Sequence, residues 1–183
     1  MDMGRIHVAV GPMFSGKTEW LIEKLETEKS RGKNVLPVRY SLDTRYSDTE
    51  MVSHNERTMK ALGAQSSDDV LKIFQDHTNI EVLGVDEMQF YDPKLADVLK
   101  VIRDQDVIIY TSGLDMDFKT DPWETTDAVL SIADSLDMLT ATCSVCNKKN
   151  AIYSQRLIEN REQVVVGGTD IYTPRCEEHY QNL

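Results

Sequence analysis

Gly11-Pro-Met-Phe-Ser-Gly-Lys-Thr18 is the stretch on which the fold turns. Its spacing, Gly then four residues then Gly-Lys-Thr, is that of a phosphate-binding loop. Glycines let backbone N–H groups close around phosphate oxygens, and the helix that follows adds partial positive charge. The reading requires a strand before and a helix after. Arg5 to Val10 is a short β-rich run that ends at Gly11. Lys17 to Ser30 carries Trp20, Leu21, Ile22 and Leu25 among charged residues, with Gly32 available to close a helix. In this loop Gly11, Pro12, Met13, Phe14, Ser15 and Gly16 surround the phosphates. Lys17 is expected to reach the β- and γ-phosphates, and Thr18 to ligate Mg²⁺ through its hydroxyl.

Working outward, Asn34 to Tyr40 is the next strand candidate; Pro37 removes a ladder donor and predicts an edge or interrupted strand. Ser41 to Arg57 reads as a long polar loop, and Ser67 to Asp76 as a helix capped by Ser67. The apolar run Ile80 to Val85 ends in Asp86-Glu87. Asp92-Pro93 opens a helix that runs to Arg103. Val107 to Tyr110 predicts a strand, Thr126 to Asp134 a helix and Leu136 to Thr142 a further strand. Such alternation predicts an α/β fold, a parallel sheet flanked by helices with right-handed crossovers. A carboxylate at the end of the strand after a phosphate loop commonly completes a Mg²⁺ site, which nominates Asp86. Glu87, one residue further out, is placed to accept a proton from an attacking hydroxyl.

The character changes at Cys143. Cys143-x2-Cys146 is followed by Cys176-x2-His179, and the chain has no other cysteine. Three thiolates and one imidazole on two tight turns suit a closed, structural Zn²⁺ site. The division expected is a phosphate-loop domain over residues 1–142 and a small zinc-binding β/loop domain over 143–183, with β-like runs at Ile152 to Gln155 and Gln163 to Val166. About 40 residues bury little core alone, so the metal would clip the intervening loop. His7, His54 and His77 show no ligand spacing; His7 and His77 read as structural or surface residues.

Composition excludes some roles. The 183 residues are 40% hydrophobic, with no apolar run approaching the roughly 20 residues of a membrane span. The segment MDMGRIHVAV lacks a signal-peptide layout, so a cytoplasmic protein without a membrane partner is expected. A net charge of −11 is poor for gripping a nucleic-acid backbone, which needs clustered Lys and Arg. That disfavours a zinc-ribbon ATPase acting on nucleic acid, the main alternative. A guanine-nucleotide switch needs Asn-Lys-x-Asp, and the nearest string, Asn147 to Asn150 (NKKN), lacks the Asp.

The order GPMFSGKT, DTRYS (Asp43 to Ser47), DEMQF (Asp86 to Phe90), GLDMDF (Gly113 to Phe118), CSVC, VGGTDIY (Val166 to Tyr172) and CEEH resembles the zinc-containing type II thymidine kinase family over nearly the whole chain. The resemblance implies transfer of the ATP γ-phosphate to the 5′-hydroxyl of thymidine, with Glu87 as general base and Asp86 serving Mg²⁺. It implies that Asp43, Arg45 and Gln89 join the ATP side. Met13, Phe90, Leu114 and Phe118 would line the nucleoside pocket. Gln163, Val164, Val165, Val166, Gly167 and Tyr172 would belong to a zinc-anchored lasso loop that closes over it. Family members are usually homotetramers. Met88, Pro37 and Trp123 depart from the usual family pattern; Met88 is expected to point away from the site and Trp123 to lie along the pocket.

Overall fold

The computed structural model describes residues 3–41, 49–53, 55–165 and 167–181. Its main sheet has seven strands. In chain order these are β1 (Arg5–Val10), β2 (Val35–Tyr40), β3 (Thr49–Val52), β4 (Thr58–Ala64), β5 (Val82–Asp86), β6 (Ile108–Gly113) and β7 (Ser135–Met138). Their spatial order is β3-β4-β2-β5-β6-β1-β7, parallel throughout except for the antiparallel β3–β4 pair. Between them run α1 (Lys17–Ser30), α2 (Ser67–Asp76), α3 (Leu95–Arg103) and α4 (Glu124–Leu130). Among the described residues no helix is long and apolar enough to cross a membrane.

The two faces of the sheet bury separate cores. α1 packs Leu21, Ile22 and Leu25 with Val82, Tyr110, Met51 and Ala61. The opposite face takes Val70 and Phe74 of α2, Leu95, Leu99 and Ile102 of α3 and Val129 of α4. The α3 residues recur at one helical face, and each fully buried Leu or Ile contributes about 1.5–3 kcal/mol. A parallel sheet covered on both faces needs strands that are apolar throughout, and every residue of β5 is buried. Gly84 lets α1 approach closely: a Cβ there would lie 2.4 Å from Leu25 Cδ1.

Three expectations are corrected. β2 is an interior strand, paired with β5 from Val35 and with β4 only from Val38. The β4 ladder begins one residue past Pro37, so a donor missing on that side interrupts nothing. The polar stretch read as one loop contains β3, which forms a hairpin with β4; its Glu50 pairs with Lys60 and its Met51 with Met59 across the strands. The cap of α2 is Ser66, whose hydroxyl accepts from the Asp69 N–H while the Asp69 carboxylate takes the Ser66 N–H, a reciprocal box that Ser67 does not make. Ser67 instead donates to the Asp92 carbonyl and takes the Asp92 carboxylate on its N–H, tying α2 to the turn before α3.

Beyond β7 the chain forms a two-stranded antiparallel sheet, β8 (Tyr153–Arg156) with β9 (Tyr172–Arg175). The run expected as a strand at 163–166 is not one among its described residues, 163–165. Side chains rather than a partner strand take the carbonyls of Gln163 and Val165.

Candidate active site

Three loops meet where β1, β5 and β6 end, the edge at which open α/β sheets bind ligands. The loop after β1 is tightly folded. A Cβ on Gly11 would lie 2.3 Å from the Leu139 carbonyl and 2.9 Å from Ser15 Oγ, so only glycine fits. Gly16 starts α1 with φ 86°, a left-handed conformation that glycine adopts without strain, and no side chain caps the helix. The first N–H groups of α1 therefore remain available for an anion. Lys17 Nζ turns back into the loop and donates to the Pro12 carbonyl at 2.6 Å. Burial lowers the Lys17 pKa, while Glu87, Asp86 and Asp115 pull it upward.

Asp86 closes β5 and is only 4% exposed. Its Oδ2 accepts from Thr18 Oγ1 at 3.0 Å; its Oδ1 accepts from Ser112 Oγ at 2.6 Å and from the Glu87 N–H at 3.0 Å. The hydroxyl and carboxylate nominated for Mg²⁺ are thus in contact, an oxygen-donor pair that suits a hard cation. Glu87 follows in a left-handed conformation, φ 57°, which turns its side chain out of the strand alternation. Burial raises the Glu87 carboxyl, the adjacent Asp86 charge adds to this, and Lys17 opposes it. Asp115, after β6, is also raised, chiefly by burial, and among the described residues its Oδ1 is buried without a hydrogen-bond partner.

A cavity of about 310 Å³ opens beside these groups. Nine residues expected for the nucleoside line it: Met13, Phe90, Leu114 and Phe118 on one side, and Gln163, Val164, Val165, Gly167 and Tyr172 on the other. Lys17, Thr18 and Glu87 share the same cavity. Gln89, expected on the ATP side, lies in the lining and bridges two groups: its Nε2 donates to Glu87 and its Oε1 accepts the Leu114 N–H at 3.1 Å. Trp123 lines the cavity edge-on to Phe90, their ring centres 5.9 Å apart. Met88 is fully buried in the core and does not line the cavity, as its expected outward turn requires. Asp43, Arg45 and Val166 lie outside the described residues.

Several lining residues escape a sequence reading. Val52 and Ser53 arrive on the unforeseen hairpin. Ser154 lines the cavity and accepts the Met13 N–H at 2.9 Å, joining the phosphate loop to β8. Arg156 lies behind the wall with 1% exposure, the largest fully buried side chain of the described residues. A lone serine and arginine in the polar run Tyr-Ser-Gln-Arg give no signal.

The cysteine motif assembles as expected. The ligand atoms of Cys143, Cys146, Cys176 and His179 all lie within 4.8 Å of one another. Cys146 and Cys176 sulfurs are 3.9 Å apart, and His179 Nδ1 is 3.8 Å from Cys143 Sγ and 3.1 Å from Cys176 Sγ. A tetrahedral Zn²⁺ with bonds of about 2.0–2.3 Å needs ligand atoms roughly 3.3–3.8 Å apart, so the donor set and its spacing fit. Burial would raise the Cys143 thiol, yet N–H groups of Cys146, Val145 and Cys176 bring it to about 6. Four protein ligands leave no open position, the mark of a structural site. The site is tied to the rest of the chain by Tyr180, whose hydroxyl donates to the Phe118 carbonyl at 2.6 Å. His7 and His77 keep to the roles expected of them: His7 stacks on Tyr110 and pairs with Ser135, and His77 bonds the Ile73 carbonyl, while His54 lies outside the described residues.

Comparison with known proteins agrees with this geometry. A family model described as thymidine kinase matches residues 4–180. A thymidine kinase of Bacteroides fragilis is 38% identical over 178 residues, covering 97% of this chain and 87% of the relative. One of Thermococcus kodakarensis is 36% identical, covering 97% of this chain and 94% of its own. A solved structure, the Legionella pneumophila ATPase DotB, overlaps 80% of this chain and 44% of its own at 16% identity, with a TM-score of 0.47. With the family model spanning nearly the whole sequence, and relatives above one-third identity matched over most of their own length, the chain belongs to the thymidine kinase family.

Proposed function

We propose that the cavity holds thymidine beside the phosphate loop and that the enzyme transfers the γ-phosphoryl group of ATP to the thymidine 5′-hydroxyl, giving dTMP and ADP. The observation that carries the reading is one cavity shared by Lys17, Thr18 and Glu87 with an apolar and aromatic wall. Backbone N–H groups of the loop and of the first turn of α1 cradle the phosphates, Pro12 having none and that of Met13 being taken by Ser154, and Lys17 turns its ammonium from the Pro12 carbonyl to the β- and γ-oxygens. Thr18 and Asp86 would hold Mg²⁺, which supplies charge neutralisation on the phosphates. Glu87, its basicity raised by burial, accepts the 5′-hydroxyl proton as the oxygen attacks phosphorus. Gln89 fixes the Glu87 carboxylate against the backbone of Leu114. Phe90, Phe118 and Tyr172 bound the base, and the loop at 163–167 excludes water that would otherwise compete for the phosphoryl group. Cys143, Cys146, Cys176 and His179 would hold Zn²⁺, anchoring that loop from a small domain beginning at residue 143. By the family resemblance the assembly is a cytoplasmic homotetramer.

Incubation with ATP·Mg²⁺ and a panel of nucleosides tests the substrate. Thymidine should yield its 5′-monophosphate with the highest kcat/KM; a purine nucleoside preferred over thymidine would overturn the assignment.

A further inference from the structure

Arg156 is a buried cation placed between two walls of the cavity without lining it. Its guanidinium sits over the Phe118 ring, Cζ 3.5 Å from the ring centre. Nη1 donates to the carbonyls of Asn160, at 2.8 Å, and Glu162; Nη2 donates to the Gln163 carbonyl at 3.2 Å and to Tyr172 Oη at 2.6 Å. Tyr172 Oη donates onward to the Val165 carbonyl at 3.0 Å. One side chain and its tyrosine partner thereby hold carbonyls 160, 162, 163 and 165. This stretch has no strand partner, so these contacts replace a ladder.

We propose that Arg156 is a positioning residue for the nucleoside: its guanidinium sets the distance between Phe118 and the 160–165 loop, and so the width of the slot that receives the base. The inference rests on the reading of the cavity as the thymidine site. Only a planar fork serves this arrangement. It stacks through its face and donates through its edge in several directions at once, whereas an ammonium is a single compact point of charge. The guanidinium touches neither phosphate loop nor Glu87 in the contacts above, so its effect should fall on the nucleoside and not on ATP.

Arg156→Lys and Arg156→Ala test this on the zinc-loaded enzyme. Losing fixed, charge-assisted bonds to the loop should raise the KM for thymidine about 10- to 100-fold. The KM for ATP should stay within about twofold, and zinc content should remain unchanged. Millimolar guanidinium ion should restore part of the thymidine affinity of Arg156→Ala. Hydrogen exchange without nucleoside should quicken at 160–165 in both variants. A merely structural role would lower the active fraction, hence apparent kcat, with the thymidine KM unaltered; that result overturns the inference. So would an equal rise in both KM values, unchanged exchange in the loop, or loss of zinc in both variants. If the wild-type enzyme instead failed to bind thymidine while the loop exchange responded as expected, the assignment of the cavity would fall and the loop-setting role of Arg156 would stand.

Discussion

Glu87→Gln should stop turnover and stabilise the fold at the same time. Glu87 stands next to Asp86 in a partly buried position, and both burial and the Asp86 charge disfavour its ionised form. Gln keeps the shape, and its amide oxygen can still accept the bond from Gln89 Nε2. What is lost is proton acceptance. General-base catalysis contributes about 10²–10⁴-fold, or roughly 2.7–5.5 kcal/mol of barrier, so kcat should fall by that factor while ATP binding is retained. The sign of the stability change follows from the raised carboxyl. Below the unfolded value near ~4.3 both states hold the proton and ionisation carries no penalty. As pH rises through the folded value, wild type must either keep the proton that the unfolded chain has released or ionise at a cost, and stability is lost. Glu87→Gln should therefore have a higher Tm than wild type at pH 7, by about 2–4 °C for each kcal/mol relieved, with the difference disappearing below pH ~4. The acid limb of the wild-type kcat/KM profile should lie above the ordinary carboxylate range and be absent from the variant's residual activity. Quenched-flow turnover and thermal melts across pH measure both. Near-normal kcat, or a lower Tm at pH 7, would refute the reasoning.

Other consequences can be checked directly. Cys176→Ser should lose the roughly one zinc per chain that a four-ligand site implies and weaken thymidine affinity, while the circular-dichroism signature of the main sheet persists. Ser112→Ala removes the 2.6 Å bond to Asp86, but the Glu87 N–H remains on the same oxygen; a loss of about 1.5 kcal/mol and a fall in Tm of roughly 3–6 °C are expected. Trp123 lines the cavity, whereas Trp20 is bonded to Asp137 and packs edge-on to Tyr110. Thymidine should accordingly change the fluorescence of Trp20→Phe without ATP, and change that of Trp123→Phe much less. Light scattering should return the mass of four chains.

What the sequence discloses is governed by how local the cause is. α1 could be bounded at Lys17 and Ser30 because a glycine turn precedes it and its apolar residues recur at helical spacing. β5 is legible because a strand buried on both faces runs apolar up to its closing Asp86, and β1 because its β-rich run, although it carries Arg5 and His7, ends at Gly11 of the phosphate loop. The β3–β4 hairpin is not legible, since its register rests on cross-strand pairs such as Met51 with Met59, which neither segment reveals alone. Pro37 does not mark an edge because the proline rule concerns ladders, and where the β4 ladder begins is a tertiary fact. The metal ligands were legible through side-chain chemistry and spacing. Arg156 is not, because three of its hydrogen-bond acceptors named above are backbone carbonyls, which every residue possesses.

The most direct measurement follows labelled γ-phosphate from ATP·Mg²⁺ in single-turnover reactions of the zinc-replete enzyme, with thymidine, with DNA, or with neither. The label should appear in dTMP, in step with ADP formation, only when thymidine is present, and little should be released as inorganic phosphate. Label released as inorganic phosphate and stimulated by DNA, with thymidine left unmodified, would contradict the account.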